Sequence, residues 1–366
     1  MPARCILLSL DGLNPGCVTP EIMPSLYALG RQGGVAAGGG FCDLPAVTYV
    51  CHATLITGTH PASHGLTSNL AAAPRPGVVP GWAGETRVPR PTLFTALREV
   101  GLASAAICGD QHLVRTMGAQ DADVAWPPNG VLPHGTETCA SGYATNAAVR
   151  DHVAAAVADS SLRFVFGHLN ETDTWGHQLG PDHPVTLRAC SAADAVVAEI
   201  AEVLRPTWDE TVLIALSDHG MELARDGDPI DLTAESPLTA LWSEVVSDGG
   251  VALARLQDGV TDSVLDAALA GHQHIAGWQA LRPGVVLVAG GPGVRFATGP
   301  AKNVRGVHGG PGTTRTVAVV AGGHPAVTRI AVHIAATPPH LADWAPTVAG
   351  VLEAAMPDAE GRNLAV

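Results

Sequence analysis

Lysine is all but missing from this chain. Lys302 is the only one in 366 residues, and the formal charge at pH 7 is −14. Binding along a nucleic-acid backbone needs a basic track, so a nucleic-acid polymer is excluded as partner. Acidity does not exclude a small anionic substrate, because bound metals reverse the local potential. Long apolar runs are missing too: none approaches the ~20 residues of a membrane-spanning helix, so no membrane association is expected. The seven cysteines are odd in number, far apart and without a CxxC pair. They read as reduced, mostly buried thiols. The chain opens Met-Pro-Ala-Arg and passes straight into Cys5–Leu10. It shows no basic region followed by an apolar stretch and a small-residue cleavage site, so a cytoplasmic location is expected. Internal repeats and coiled-coil heptads are absent as well.

What is present suits a large folded enzyme. Hydrophobic residues make up 46% of the chain, enough for one substantial core. The expectation is a single catalytic domain over 1–366, with a cap or insertion at about 225–300. Gly 42 and Pro 28 are dispersed and read as tight loops, with residues 71–90 a loop or the start of an insertion. Apolar runs at Cys5–Leu10, Ala103–Cys108, Phe164–Leu169 and Thr211–Leu216 read as buried strands. Helical patterns at Ile22–Gly33, Thr48–Thr57, Pro91–Val100, Ala144–Ala158 and Val185–Leu204 alternate with them. That alternation predicts an α/β fold, a doubly wound, mostly parallel sheet with helices on both faces. In the cap, a helix is expected near Thr261–Leu269 and a strand at Val285–Ala289. Late strands are expected at Thr316–Val320 and Arg329–Ile334, and a closing helix at Asp343–Ala355.

The chemistry collects where these strands end. Asp11 follows the first, Asp173 and His177 come just after Phe164–Leu169, and Asp218 and His219 follow Thr211–Leu216. Ligands of doubly wound sheets bind at the carboxyl ends of strands. His308 lies in Gly-Val-His-Gly-Gly, where glycines allow close approach to a metal or phosphate. Three carboxylates, three imidazoles and the Thr48 hydroxyl can hold two divalent cations and present a nucleophile between them. Taken singly, each has an ordinary alternative: a surface Asp-His turn, a polar loop, or a helix cap at Thr48. A threonine is a weak nucleophile unless a metal stabilises its alkoxide. Asp and His without Cys suit Zn²⁺ first, and also Mn²⁺ or Fe²⁺, over an all-oxygen Mg²⁺ or Ca²⁺ site.

Six segments carry a resemblance to a known family. They are Leu-Ser-Leu-Asp11-Gly, Val-Thr48-Tyr-Val-Cys-His52, His64-Gly-Leu-Thr-Ser-Asn69, Asp173-Thr-Trp-Gly-His177, Ser-Asp218-His219-Gly-Met and Val-His308-Gly-Gly. Together they resemble the alkaline phosphatase superfamily, within it the type I phosphodiesterase/nucleotide pyrophosphatase branch with its phosphonoacetate hydrolase relatives. The tail, Asp343-Trp-Ala-Pro346-Thr and Gly361-Arg-Asn-Leu364, resembles the superfamily's usual ending. The resemblance implies that Asp11, Thr48, Asp218 and His219 hold one metal and Asp173, His177 and His308 the other. It implies that Thr48 attacks phosphorus to form a phosphoryl-threonine. It places Asn69 as a donor to a non-bridging phosphate oxygen, and Tyr49 as an aromatic on which a base can stack. Two departures bear on substrate. Val50-Cys51 replaces the Pro-Asn usual before the histidine in nucleotide pyrophosphatases. The lysines with which phosphonoacetate hydrolases hold a carboxylate have no counterpart in Cys108–Arg115, where His112 and Arg115 are the groups able to meet an anion. The expected substrate is a small phosphodiester or nucleotide-like compound. A phosphonate or phosphomonoester stands as the alternative and a phosphomutase as a remoter one. A homo-oligomer remains open.

Overall fold

The computed structural model describes residues 3–72, 87–297 and 304–366. Lys302 and most of the expected 71–90 insertion fall outside the described residues. The main sheet contains Arg4–Leu10 (β1), Gly34–Val35 (β2), Ser104–Cys108 (β3), Val124–Trp126 (β4), Phe164–Leu169 (β5), Thr211–Leu216 (β6) and, late in the chain, Ala318–Ala321. Its seven strands lie in the order β2, Ala318–Ala321, β6, β1, β5, β3, β4. β6, β1, β5, β3 and β4 run parallel, and Ala318–Ala321 is antiparallel to both its neighbours. This is the expected doubly wound, mostly parallel sheet.

The strands bury both faces, which is why they read as continuous apolar runs. Cys5 and Leu7 of β1 face one core, with the helix Thr48–Thr57 and the C-terminal helix Trp344–Val351. Ile6, Leu8 and Leu10 face the other, with the helices Pro24–Gln32, Asn146–Ala158 and Pro184–Val203. The register sets Leu10 beside Leu169 and Ser9 beside Leu216. β1, β5 and β6 therefore finish almost level, and the polar residues that follow them emerge along one edge.

Between β6 and the return to the main sheet, four antiparallel strands form a second sheet. They are Trp242–Asp248 (β7), Val251–Leu256 (β8), Ile275–Arg282 (β9) and Val285–Gly290 (β10), in the order β9, β10, β8, β7. The helix Asp262–Leu269 packs Leu265 and Leu269 against it. Ala318–Ala321 is labelled β11; the short strand Arg315–Thr316, which pairs with Gly40–Phe41 in a separate two-stranded sheet, precedes it.

One expected strand is wrong: Arg329–Ile334 lies inside a helix, Ala326–Ala336. Ile330, Val332 and Ile334 alternate as a strand would, but the fold buries Ala326, Val327, Ile330 and Ile334 and leaves Val332 63% exposed. That is helical spacing. The closing helix is shorter than expected: it spans Trp344–Val351 and is entered through a tight turn at Leu341–Asp343.

Candidate active site

Thr48 is the first residue of its helix, not its cap. Val47 occupies the cap position, and no side chain caps the helix. The Thr48 hydroxyl instead lies 3.2 Å from His219 Nε2. The ordinary helix-cap explanation for Thr48 is thereby removed.

Three histidines share one geometry. His219 Nδ1 lies 3.0 Å from the Gly220 carbonyl, His177 Nδ1 3.0 Å from that of Gly306, and His308 Nδ1 2.9 Å from that of Ala46. A carbonyl only accepts, so each Nδ1 carries the proton and each Nε2 is left with a lone pair. Those lone pairs face other acceptors. His308 Nε2 and His177 Nε2 are 3.1 Å apart, with Asp173 Oδ1 3.7 and 3.5 Å away respectively. His219 Nε2 is 3.3 Å from Asp218 Oδ2 and 3.5 Å from Asp11 Oδ1. Asp11 Oδ1, Asp173 Oδ1 and Asp218 Oδ2 are buried without hydrogen-bond partners. Acceptors crowded on acceptors in a buried space lack only positive charge, so the residues present fit divalent cations. Imidazoles pinned through Nδ1 to backbone carbonyls are also how metal-binding histidines are usually held. Asp173, His177 and His308 make one group of donors and Asp11, Asp173 and His219 another, each with its atoms within 4.8 Å.

Burial drives the electrostatics. It pushes the Asp11 carboxyl well above the usual range, assisted by Asp218 and Asp173. Asp218 is pushed up to about 6, mainly by burial, and burial pushes His219 down to about 3. His308 is lowered well below its usual value for the same reason. All four groups are biased toward neutrality in the absence of a compensating cation.

Local structure explains how these groups converge. The Asp11 N–H donates to the Leu169 carbonyl at 2.9 Å, extending the β1–β5 ladder by one bond. Gly12 then turns with φ +67°, and its N–H donates to Asp218 Oδ1 at 3.1 Å. A Cβ on Gly12 would sit 3.0 Å from the Cβ of Asp173, so only glycine allows the close approach. Asn14 exchanges two hydrogen bonds with the Met221 backbone, fixing the Asp-His-Gly-Met loop to the β1 loop.

Asn69 accepts at Oδ1 from the Tyr49 N–H at 2.9 Å, which leaves its side-chain N–H₂ without a partner among the described residues. Tyr49 is only 3% exposed, and its hydroxyl donates to Asp110 Oδ2 at 2.8 Å. Asp110 also accepts from the His112 backbone N–H at 2.8 Å. The exposed His112 ring lies 6.2 Å from that of Tyr49 and 6.4 Å from that of Tyr143. Arg115 is exposed one turn further on, without an ion pair among the described residues.

The sequence reading missed two buried histidines. His168 Nδ1 accepts from the Asp110 N–H, so Nε2 donates to Asp11 Oδ2 at 3.0 Å. His52 Nδ1 donates to the Thr48 carbonyl at 2.8 Å, and its Nε2 accepts from Ser9 Oγ at 2.9 Å. The spacing of His52, four residues after Thr48 on one helix face, was available as a signal. His168, inside a fully buried strand, offered none.

A doubly wound sheet that gathers a hydroxyl and a cage of carboxylates and imidazoles at its carboxyl edge defines a class of phosphate-ester hydrolases. The family model for type I phosphodiesterase / nucleotide pyrophosphatase matches residues 5–275, and the chain belongs to that family. A pyrophosphatase/phosphodiesterase of Schizosaccharomyces pombe is 26% identical over 234 residues, 60% of this chain and 45% of its own. The chain spans less than half the length of the curated relatives it matches. Among solved structures, murine ectonucleotide pyrophosphatase / phosphodiesterase 5, as an inactive variant in complex with AMP, has a TM-score of 0.71 at 17% identity. That match covers 98% of this chain and 97% of the other. Phosphonoacetate hydrolase from Sinorhizobium meliloti, in complex with phosphonoformate, has a TM-score of 0.65 at 18% identity, covering 87% and 90%. No helix among the described residues is long and apolar enough to cross a membrane.

Proposed function

We propose that this chain hydrolyses a small phosphodiester or nucleotide-like ester through a phosphoryl-threonine. The observation that carries the proposal is the Thr48 hydroxyl 3.2 Å from His219 Nε2, at the mouth of a cage with three unsatisfied carboxylate oxygens. Asp11, Thr48, Asp218 and His219 would hold one divalent cation and Asp173, His177 and His308 a second, Zn²⁺ suiting the donors best and Mn²⁺ or Fe²⁺ also fitting. When bound, the cations supply Lewis acidity and offset the charge of the phosphate.

The chain's own groups do the rest. Thr48 is fixed on the first turn of a buried helix and attacks phosphorus: the Oγ–P bond forms as the P–O bond to the leaving alcohol breaks, and the hydroxyl proton ends on the departing alkoxide. Water then cleaves the phosphoryl-threonine, releasing the phosphate product and restoring the Thr48 hydroxyl. Asn69 offers its free amide hydrogens to a non-bridging oxygen where negative charge grows. His168 holds Asp11, and His52 holds the Thr48 backbone. Tyr49, His112 and Tyr143 form an aromatic and polar wall beside the nucleophile, around the buried Asp110 carboxylate. That wall suits a neutral or hydrogen-bond-donating leaving group, such as a nucleoside or other alcohol, better than a carboxylate. The murine relative's complex with AMP is in keeping with it. The likeness to phosphonoacetate hydrolase supports a second reading, a small phosphonate whose acid group meets His112 or Arg115. Nitrophenyl mono- and diesters, nucleotides and phosphonates given to the zinc-loaded protein decide between them. Preference for diesters and nucleotides is expected, and turnover of phosphonates alone would overturn it.

A further inference from the structure

Asp248 links the second sheet to the reaction centre by side-chain hydrogen bonds. Asp248 is the last residue of β7 and is 7% exposed. Its Oδ2 accepts from the Asn69 N–H at 2.7 Å and from Ser68 Oγ at 2.8 Å. Asn69 in turn accepts from the Tyr49 N–H, the amide directly after Thr48. A continuous path of hydrogen bonds therefore runs from the cap carboxylate to the backbone beside the nucleophile. Asn69 is held at two points, its backbone by Asp248 and its side-chain oxygen by Tyr49, and only its amide hydrogens are left to turn toward substrate. Hydrogen bonds to an ionised carboxylate are shorter and about twice as strong as neutral ones, so Asp248 is a firm anchor.

The hairpin that carries Asp248 is itself fixed to the cage. The Gly250 N–H donates to the His308 carbonyl at 2.7 Å. A Cβ on Gly249 would meet that carbonyl at 2.5 Å, and one on Gly250 would meet the Gly310 nitrogen at 2.8 Å. Asp248 is thus located by the same backbone that delivers His308.

We propose that Asp248 is a positioning residue for the reaction. It holds the Asn69 amide in place against the charged oxygens of the phosphate and makes the cap hairpin part of the catalytic unit. The proposal rests on Asn69 being the donor to a non-bridging oxygen. Donors that are preorganised where charge develops act mainly on kcat, and loss of one typically costs roughly a hundredfold.

A double-mutant cycle tests it on the zinc-loaded protein, with bis(p-nitrophenyl) phosphate for kcat and KM, and calorimetric binding of inorganic phosphate as a readout independent of turnover. Asp248→Ala should lower kcat about thirtyfold with KM within about twofold, and should weaken phosphate binding. Asp248→Asn keeps an oxygen able to accept both hydrogen bonds and should stay within about threefold of wild type. The Asp248→Ala/Asn69→Ala double variant should match Asn69→Ala within about twofold, because a residue that acts through Asn69 has nothing left to position. Ser68→Ala disturbs the hairpin least and decides the matter if Asp248→Ala does not fold. Its expected loss is about threefold, and it too should vanish in the Asn69→Ala background. Losses that multiply with that of Asn69→Ala would overturn the positioning role and leave Asn69 as the donor. An unchanged kcat in Asn69→Ala alone would overturn the donor role, and the proposal with it.

Discussion

At the scale of single residues, the strongest expectation concerns Thr48. Thr48→Ala removes the hydroxyl 3.2 Å from His219 but none of the six Asp and His donors around it. Turnover should fall below about a tenth of wild type, a barrier increase above ~1.4 kcal/mol. Zinc content by elemental analysis should stay near that of wild type. A variant with a tenth or more of the activity would mean that water attacks phosphorus directly. Asn69→Ala should lower kcat roughly a hundredfold with little change in melting temperature; lower stability with intact kcat would reduce Asn69 to a loop anchor. Asp11, Asp173, Asp218 and His219 stand out in the sequence because each follows a buried strand; Thr48 opens a helix, and Asn69 is reached only through the resemblance. His168 could not be read: it is fully buried in a strand, and a buried imidazole in an apolar run reads as core, whereas His52 offered its spacing from Thr48 on the same helix. Asp248 stood beyond reach for another reason, since its partners are Ser68 and Asn69, nearly two hundred positions earlier in the chain.

Among elements, legibility followed burial. β1, β5 and β6 are buried on both faces, so their apolar runs marked them plainly. β9 has no fully buried residue, and β7 carries only three. Neither announced itself, and the cap's four-stranded sheet was expected as one strand and one helix. The Ala326–Ala336 helix was misread because one turn of alternating Ile and Val looks the same in either element. The cap hairpin also yields an expectation of its own. Gly250→Ala would drive a methyl group against the Gly310 backbone, and backbone cannot yield as a flexible side chain can. His308 should shift, and chelator competition should show one zinc bound at least about tenfold more weakly, in line with the loss of a supporting contact. Unchanged affinity for both zinc ions would show that the loop absorbs the methyl group without moving its imidazole.

For the whole molecule, the cage is a liability until it is filled. Buried carboxylates that face one another oppose folding, and a cation bound only by the folded state adds stability by mass action, about 4 kcal/mol at a thousandfold excess over Kd. Chelation should therefore lower the melting temperature, and readdition of zinc should restore it; a melting curve indifferent to chelator would argue against structural coupling. Acid acts elsewhere too. His64 is buried and lowered to about 4, its Nδ1 accepting from the Leu66 N–H and its Nε2 donating to Thr54 Oγ1. The unfolded chain takes up this proton near the ordinary pKa of about 6.5, while the folded one resists it to about 4. Stability should be full above 6.5 and should decline between 6.5 and 4, by about 3 kcal/mol from this group. Denaturant titrations of the metal-free protein across that range check it. His64→Gln should flatten the decline, and an identical slope in the variant would assign it to other groups.

The seating of the hairpin turn against the His308 carbonyl also sets an order of events during synthesis. Asp11, Thr48, Asp173, Asp218 and His219 all precede the cap in the chain, and His308 follows it. A nascent chain that has reached residue 290 holds most of the cage and the complete cap sheet, but not the last imidazole. Ribosome-bound intermediates and chains broken before residue 308 therefore lack the His308 imidazole, so on the proposed mechanism activity is expected only after the cap has been made.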